Sequence, residues 1–281
     1  MRALDRLASS PCEASRSRRT LTSWTHGILR DLSLRARKSL GQNFLVEPRV
    51  LRLFERATPH SSDVLEVGTG LGVLTCTLSG ISRRVLSVEL DPVLAGAASR
   101  LLDGFDNVHI VNADGVDIAG TARVEGLVSN LPYSAASQVI VKAITNNRIG
   151  WMVVMIQKEL ADKLAARPGS RAYGRLTVVV RLYFDVDVLA AFPPSAFTPR
   201  PEVWSSLVKL RRIRRWEEDS GTRLVEMARC LFSYKNKRVS KSLKLCGYMA
   251  GGCGLPPRIL EGRVRELTPE EVLLLSEHCV G

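Results

Sequence analysis

The sequence predicts an α/β protein: a mostly parallel sheet covered by helices on both faces, with a smaller helical domain after it. Three observations carry this reading. Between residues 63 and 156, five short runs rich in Val, Ile and Leu alternate with helical stretches. The first run ends in a cluster of glycines, as a strand does where it turns tightly into a helix. Beyond Ser220 the rhythm changes, and Leu224, Ala228, Leu231 and Phe232 recur at helix spacing.

The elements follow in chain order. Residues 1–37 show no sustained period and are expected to form a flexible basic extension. Asp63–Val67 reads as the first strand, Arg84–Glu89 as the second, Asn107–Val111 as the third, Leu127–Ser129 as the fourth and Trp151–Ile156 as the fifth. The apolar run Leu176–Phe184 ends a helix. Asp185–Ala191 and Trp204–Leu210 read as two late strands joined by the proline-rich segment Phe192–Pro201, which suggests an antiparallel hairpin at the sheet edge. The charged stretch Arg211–Ser220 reads as a linker. In Thr268-Pro269-Glu270-Glu271, Thr caps a helix, Pro takes its first position and Glu stands three residues after the cap. The expected organisation is an extension over 1–37, an α/β domain over 38–213 and a helical domain over 214–281.

Composition narrows the function classes. The chain has 281 residues, 45% of them hydrophobic and 24% charged, which excludes a wholly disordered or collagen-like protein. No stretch approaches the roughly 18 consecutive apolar residues of a membrane helix. The six cysteines (12, 76, 230, 246, 253, 279) form no CxxC and the four histidines do not cluster. The expectation is therefore no metal site, no disulfide framework and a reduced, cytoplasmic setting. Forty Lys and Arg against 28 Asp and Glu give a net charge of +12. It is unevenly spread: residues 1–38 carry 9 basic and 3 acidic side chains, residues 39–199 carry 15 of each, and residues 200–245 carry 13 and 5. Two basic regions around a neutral body form a footprint for a polyanion, which points to nucleic acid rather than a membrane.

Chemistry concentrates at the strand ends, where ligands bind in open α/β sheets. Glu66-Val67-Gly68-Thr69-Gly70-Leu71-Gly72 follows the first strand. Its glycines allow close approach of a ligand, and their GxGxG spacing differs from the dinucleotide GxGxxG, which disfavours a nicotinamide dehydrogenase. Glu89 ends the second strand, where it suits ribose hydroxyls, and Asp114-Gly115 follows the third, where an adenine ring can be gripped. The bland alternative is a tight turn with two surface carboxylates.

Asn130-Leu131-Pro132-Tyr133 follows the fourth strand directly. Proline biases Leu131 to an extended conformation, so the Asn130 amide and the Leu131 carbonyl can both face the site. An exocyclic amine on a ring is a poor nucleophile, because its lone pair is delocalised. Two acceptors at its hydrogens favour the pyramidal geometry of attack and stabilise the positive charge that develops on nitrogen. Tyr133 can stack on the base. The alternative is a proline turn with Tyr133 as a core anchor.

With these segments assembled, the chain resembles the rRNA adenine N6-dimethyltransferases of the small-subunit, KsgA-type branch. The resemblance is carried by Lys38–Leu45, by Leu65–Thr75 with Glu89-Leu90-Asp91, by Asn130–Tyr133, by Gln157-Lys158-Glu159 with Tyr173–Leu176, and by Ala196–Ser206. The glutamate before the first glycine is characteristic of methyltransferases that use S-adenosylmethionine. Phe232–Arg238 and Arg263–Glu271 look closer to archaeal than to bacterial members. The resemblance implies a class I methyltransferase (Rossmann-like) sheet with a small α-helical C-terminal domain that binds RNA. It implies S-adenosylmethionine as donor and dimethylation of two adjacent adenosines in the 3′-terminal hairpin loop of small-subunit rRNA, during ribosome biogenesis. Carried over by position, Gln42, Asn43, Phe44, Leu45, Glu66, Gly68, Gly70, Glu89, Asp114 and Asn130 would hold the cofactor. Asn130, Leu131 and Tyr133 would hold the adenine, and Phe197 would stack on its other face; a hydrophobic plug between prolines is an equally weighted role for Phe197.

Two departures stand out. Ser134 replaces the usual Asn after the Asn-Leu-Pro-Tyr turn, and the extension before Arg37 is longer than the family's, reading either as an RNA arm or as a misassigned start. For RNA contact the candidates are Arg211, Arg212, Lys235, Lys237, Arg238 and Lys241, within a basic cluster that also holds Arg214, Arg215 and Lys244. The expected partner is a pre-30S-type particle, met by a monomer without metal or membrane. The rivals are an Erm-like enzyme acting on large-subunit rRNA and a non-catalytic nucleic-acid-binding assembly factor on the same fold.

Overall fold

The structure, a computed structural model, describes residues 10–34, 41–249 and 254–279. The Lys38–Leu40 part of the first motif, the 37/38 boundary and Cys253 lie outside the described residues. The chain divides into two units: residues up to Lys158 with Val188–Leu210, and Glu159–Asp187 with Arg211 onward.

The first unit holds a seven-stranded sheet, apart from Phe184–Asp187 of β7 and Arg211–Arg212 of β9, which are counted with the second. Its strands are β2 (Asp63–Val67), β3 (Arg84–Glu89), β4 (Val108–Asn112), β5 (Gly126–Asn130), β6 (Trp151–Gln157), β7 (Phe184–Phe192) and β9 (Ser205–Arg212), in the order β4-β3-β2-β5-β6-β9-β7. The pairs β2–β3, β3–β4, β2–β5 and β5–β6 are parallel. In β5 and β6 nearly every side chain is buried, as expected of central strands with both faces covered. The α/β reading holds, and β7 takes the sheet edge with β9 beside it.

The helices start where their caps dictate. Asp91 caps α5 (Pro92–Leu101), accepting from the Val93 N–H at 3.0 Å, with Pro92 in the first turn. Glu47 caps α3 (Pro48–Ala57), which buries Val50, Leu51 and Phe54. A two-stranded ribbon stands apart from the main sheet: β1 (Phe44–Leu45) pairs antiparallel with β8 (Phe197–Thr198), setting Leu45 opposite Phe197.

Three expectations need correction. The N-terminal segment is not a flexible extension over its described part. It forms α1 (Pro11–Ala14) and α2 (Arg18–Asp31), and Leu21, Trp24 and Ile28 of α2 are buried in the hydrophobic core. Their i, i+3, i+7 spacing is the apolar stripe of a surface helix. The boundary near residue 213 is too simple, because Glu159–Asp187 belongs with the C-terminal unit. The cysteines are not unpaired. Cys12 is bonded to Cys76 and Cys230 to Cys246, with Cα separations of 5.6 and 6.0 Å, inside the usual disulfide span.

The second unit is mainly helical. It is built from α9 (Arg175–Tyr183), α10 (Glu218–Ser233), α11 (Val239–Leu245), α12 (Pro257–Glu261) and α13 (Pro269–His278). Tyr173 anchors it: its hydroxyl donates to the Leu267 carbonyl at 2.7 Å and its ring lies 5.7 Å from that of Phe232. The capping box predicted at Thr268 and Glu271 is present.

Candidate active site

A pocket at the carboxyl ends of β2, β3 and β5 gathers Gln42, Asn43, Phe44, Leu45, Glu66, Gly68, Gly70, Glu89, Asp114, Asn130, Leu131 and Tyr133. Every sequence-predicted cofactor residue therefore lies in its wall, as do three of the four predicted catalytic residues.

The glycine loop shapes one side. Gly68 has φ +88°, and a Cβ there would meet Pro132 at 3.3 Å, so a larger residue would be strained by its backbone and crowded by the Asn-Leu-Pro-Tyr turn. Gly41 has φ +65°, and a Cβ there would lie 3.0 Å from the Tyr133 nitrogen. Glycines at both positions let the two motifs approach each other.

Two carboxyls sit behind the loop. Glu66 is fully buried; Thr75 and Ser87 donate to its Oε2 at 2.6 and 2.7 Å, and the Thr69 hydroxyl lies 2.6 Å from that of Ser87. Burial outweighs these hydrogen bonds and pushes the Glu66 carboxyl up to about 8, so it is mostly protonated at neutral pH. Glu89 is also raised, chiefly by burial, but the backbone N–H groups of Gly70 and Asp91 donate to its two oxygens at 2.8 and 2.9 Å and oppose the shift. A carboxylate offers about four acceptor sites, so Glu89 has capacity left for a ligand hydroxyl. Asp114 caps α6 (Gly115–Thr121), accepting from Val116 at 2.8 Å.

The Asn-Leu-Pro-Tyr turn is pinned at each residue. Asn130 Nδ2 donates to the Asn43 carbonyl at 3.2 Å, which leaves its Oδ1 to act as an acceptor. The Leu131 N–H donates to the Met155 carbonyl at 3.1 Å and Pro132 accepts from Ala135 and Ala136. The Tyr133 hydroxyl lies 2.6 Å from Ser205 Oγ, and burial raises its pKa, so it is a neutral hydroxyl rather than a base.

Phe197 is where the structure departs from expectation. It is 2% exposed, packed in the hydrophobic core on the β1–β8 ribbon, and absent from the pocket wall. The plug role is the one realised. Trp204, which directly precedes Ser205, the hydrogen-bond partner of Tyr133, is 50% exposed and likewise absent from the pocket wall. Sequence reasoning missed Thr25 of α2, which lines the pocket from a segment read as an extension.

The basic residues of the second unit fall into two groups. Arg211 pairs with Asp185 and Asp187 at 2.6 and 3.5 Å. Arg212 lies over the Phe184 ring at 4.5 Å, and burial with the charge of Arg215 lowers its pKa to about 10. Lys235, Lys237, Arg238 and Lys241 are exposed around the start of α11, with Arg238 bonded to Glu261 at 2.8 Å. Among the described residues no group of three or more His, Cys, Asp or Glu could hold a metal ion, and no helix is long and apolar enough to cross a membrane.

Comparison with known proteins gives a consistent result. The family described as ribosomal RNA adenine dimethylase matches residues 33–252. A protein of Methanothermobacter thermautotrophicus named probable ribosomal RNA small subunit methyltransferase A is 34% identical over 268 residues, covering 90% of this chain and 94% of its own. The protein of that name in Aeropyrum pernix is 36% identical over 273 residues, covering 94% and 97%. Among solved structures, a dimethyladenosine transferase from Plasmodium falciparum superposes with a TM-score of 0.71 at 25% identity, covering 83% of this chain and 96% of that one. The 23S rRNA methyltransferase ErmE superposes with a TM-score of 0.63 at 28% identity, covering 84% and 99%.

Proposed function

The chain belongs to the ribosomal RNA adenine dimethylase family, and from that premise we propose that it dimethylates N6 of two adjacent adenosines in the 3′-terminal hairpin loop of small-subunit rRNA. It is an S-adenosylmethionine-dependent enzyme on a class I methyltransferase fold. The observation that carries the assignment is the convergence of the glycine loop, Glu89 and the Asn130–Tyr133 turn on one pocket.

The pocket fits the donor. Gly68 and Gly70 leave their loop without side chains at the wall, Glu89 keeps lone pairs for ribose hydroxyls, and Asp114 stands at the adenine end. When bound, S-adenosylmethionine supplies an electrophilic methyl group. The rest is done by this chain. Asn130 Oδ1 and the Leu131 carbonyl accept from the target amine and draw its lone pair out of conjugation as the nitrogen becomes positive. Tyr133, held by Ser205, provides a face for the adenine. No strong base is required, because the amine proton becomes acidic once the nitrogen carries charge and can pass to water. With Phe197 buried, Trp204 offers the exposed ring for an unstacked nucleotide. Lys235, Lys237 and Lys241 are the phosphate contacts that the surface favours.

The enzyme acts in the cytoplasm, as a monomer, on a pre-30S-type particle. The test is incubation with labelled S-adenosylmethionine and undermethylated small subunits, followed by mass spectrometry of the digested RNA. N6,N6-dimethyladenosine in the 3′-terminal hairpin is the expected product. Product on large subunits alone would place the enzyme with the Erm-like rival instead. Cofactor binding without methylation of either substrate would favour a binding role.

A further inference from the structure

The N-terminal helix α2 sets a polar side chain against the pocket. Thr25 is 0% exposed and lines the cofactor pocket, and its Oγ1 has no hydrogen-bond partner. A threonine in a helix commonly satisfies its hydroxyl on the carbonyl one turn back, and this one does not. A buried hydroxyl without a partner costs free energy, so such a group at the wall of a ligand pocket calls for an explanation. Thr58 Oγ1 and Ser82 Oγ are also buried without partners, but neither residue lines the pocket.

The position of α2 is firmly set. The Cys12–Cys76 disulfide ties α1 to α4 (Val73–Ser79), the helix that opens directly after the glycine loop. His26 Nε2 lies 2.8 Å from the Thr198 hydroxyl, Arg18 bonds the Ser195 carbonyl, and Arg18 approaches Glu47 at 3.9 Å. Thr198 pairs with Phe44, whose ring lies 3.5 Å from where a Gly70 Cβ would stand. These contacts set α2 beside the β1–β8 ribbon, whose Phe44 stands against the glycine loop that is read as the seat of the donor's amino-acid end.

We propose that Thr25 is a cofactor-binding residue whose hydroxyl hydrogen-bonds the charged amino-acid end of the methyl donor, making α2 part of the binding site. The inference rests on the reading of this pocket as the S-adenosylmethionine site. It also assigns a role to residues before the stretch 33–252 that matches the family.

The test compares Thr25→Val, which keeps the shape and loses the hydroxyl, with Thr25→Ser, which keeps the hydroxyl. Calorimetry is run with S-adenosylmethionine and with 5′-methylthioadenosine, which lacks the amino-acid end. The expected result is that Thr25→Val binds S-adenosylmethionine about tenfold more weakly, as for loss of a hydrogen bond to a charged group. It should bind 5′-methylthioadenosine as the wild type does, and Thr25→Ser should restore the lost affinity. Without ligand, Thr25→Val should melt at or above the wild-type temperature, because it removes an unsatisfied buried hydroxyl. Equal affinity of Thr25→Val and wild type for S-adenosylmethionine would overturn the proposal. So would an equal loss for both ligands, which marks a general structural effect. A wild-type chain that binds neither ligand would sink the cofactor reading itself, and this inference with it.

Discussion

The pocket of the first unit and the basic surface of the second are built on opposite principles. In the pocket each functional atom is fixed by a neighbour: Asn130 by the Asn43 carbonyl, Tyr133 by Ser205, Glu89 by the N–H groups of Gly70 and Asp91. On the surface Lys235, Lys237 and Lys241 are exposed, and phosphate contact asks only for charge at a rough position. A pocket of this kind fails when one atom is removed. A surface of this kind weakens by degrees and in proportion to salt.

Substitutions can sharpen or break that contrast. The largest effect is expected for Asn130→Ala, which should lower kcat for methyl transfer by at least about 10²-fold, as for loss of a transition-state hydrogen-bonding group. Single-turnover transfer to undermethylated small subunits measures this, and a normal rate would reject the mechanism. Next comes Glu89→Ala, expected to weaken S-adenosylmethionine binding by about tenfold or more in calorimetry, because it removes a charged acceptor from the ribose end. Unchanged affinity would remove Glu89 from the site. On the surface, the Lys235→Ala, Lys237→Ala, Lys241→Ala triple variant should reduce the slope of log affinity for RNA against log salt by about 2. Arg211→Ala should change it least, since Arg211 is already paired with Asp185 and Asp187. A larger effect from Arg211 than from the lysines would reverse the assignment of the surface.

The last effect concerns stability. The fold holds the proton of Glu66 up to about pH 8, whereas the unfolded chain loses it near the ordinary value of 4.5. Between those values the folded state binds more protons, so stability falls as pH rises through that window. Glu66→Gln should flatten this part of the dependence, read as melting temperature from pH 5 to 8, at roughly 2–4 °C for each kcal/mol in a chain of this size. A wild type and variant with parallel pH profiles would show that Glu66 is ionised in the fold.

Legibility in the sequence follows the same division. Asp63–Val67 and Arg84–Glu89 are strands with the bounds the β-rich runs predict, because short runs of Val and Leu bounded by turn residues mark strands. The glycine loop, Glu89 and the Asn130 turn were legible because their chemistry depends on residue type at fixed spacing. Phe197 was not, since the same aromatic between prolines serves as a stacking face or as a core plug. Arg211 and Arg212 show a related limit: sequence counts a cation but not the Asp185 carboxylate or the Phe184 ring beside it. In α2 the stripe of Leu21, Trp24 and Ile28 was hidden by its basic, serine-rich surroundings. The Cys12–Cys76 pair, 64 residues apart, has no local signature.

The β1–β8 ribbon gives the pocket a history as well as a shape. Phe44 and Leu45 stand in the pocket wall, yet the strand that holds them consists of Phe197 and Thr198. A nascent chain carries every glycine-loop residue long before it carries β8. Growing at 5–20 residues per second, it needs roughly 8–30 s to pass from Leu45 to Phe197. A chain interrupted in that interval owns the motif but not the wall. Competence to take up the donor therefore waits for β8, long after the glycine loop has been made.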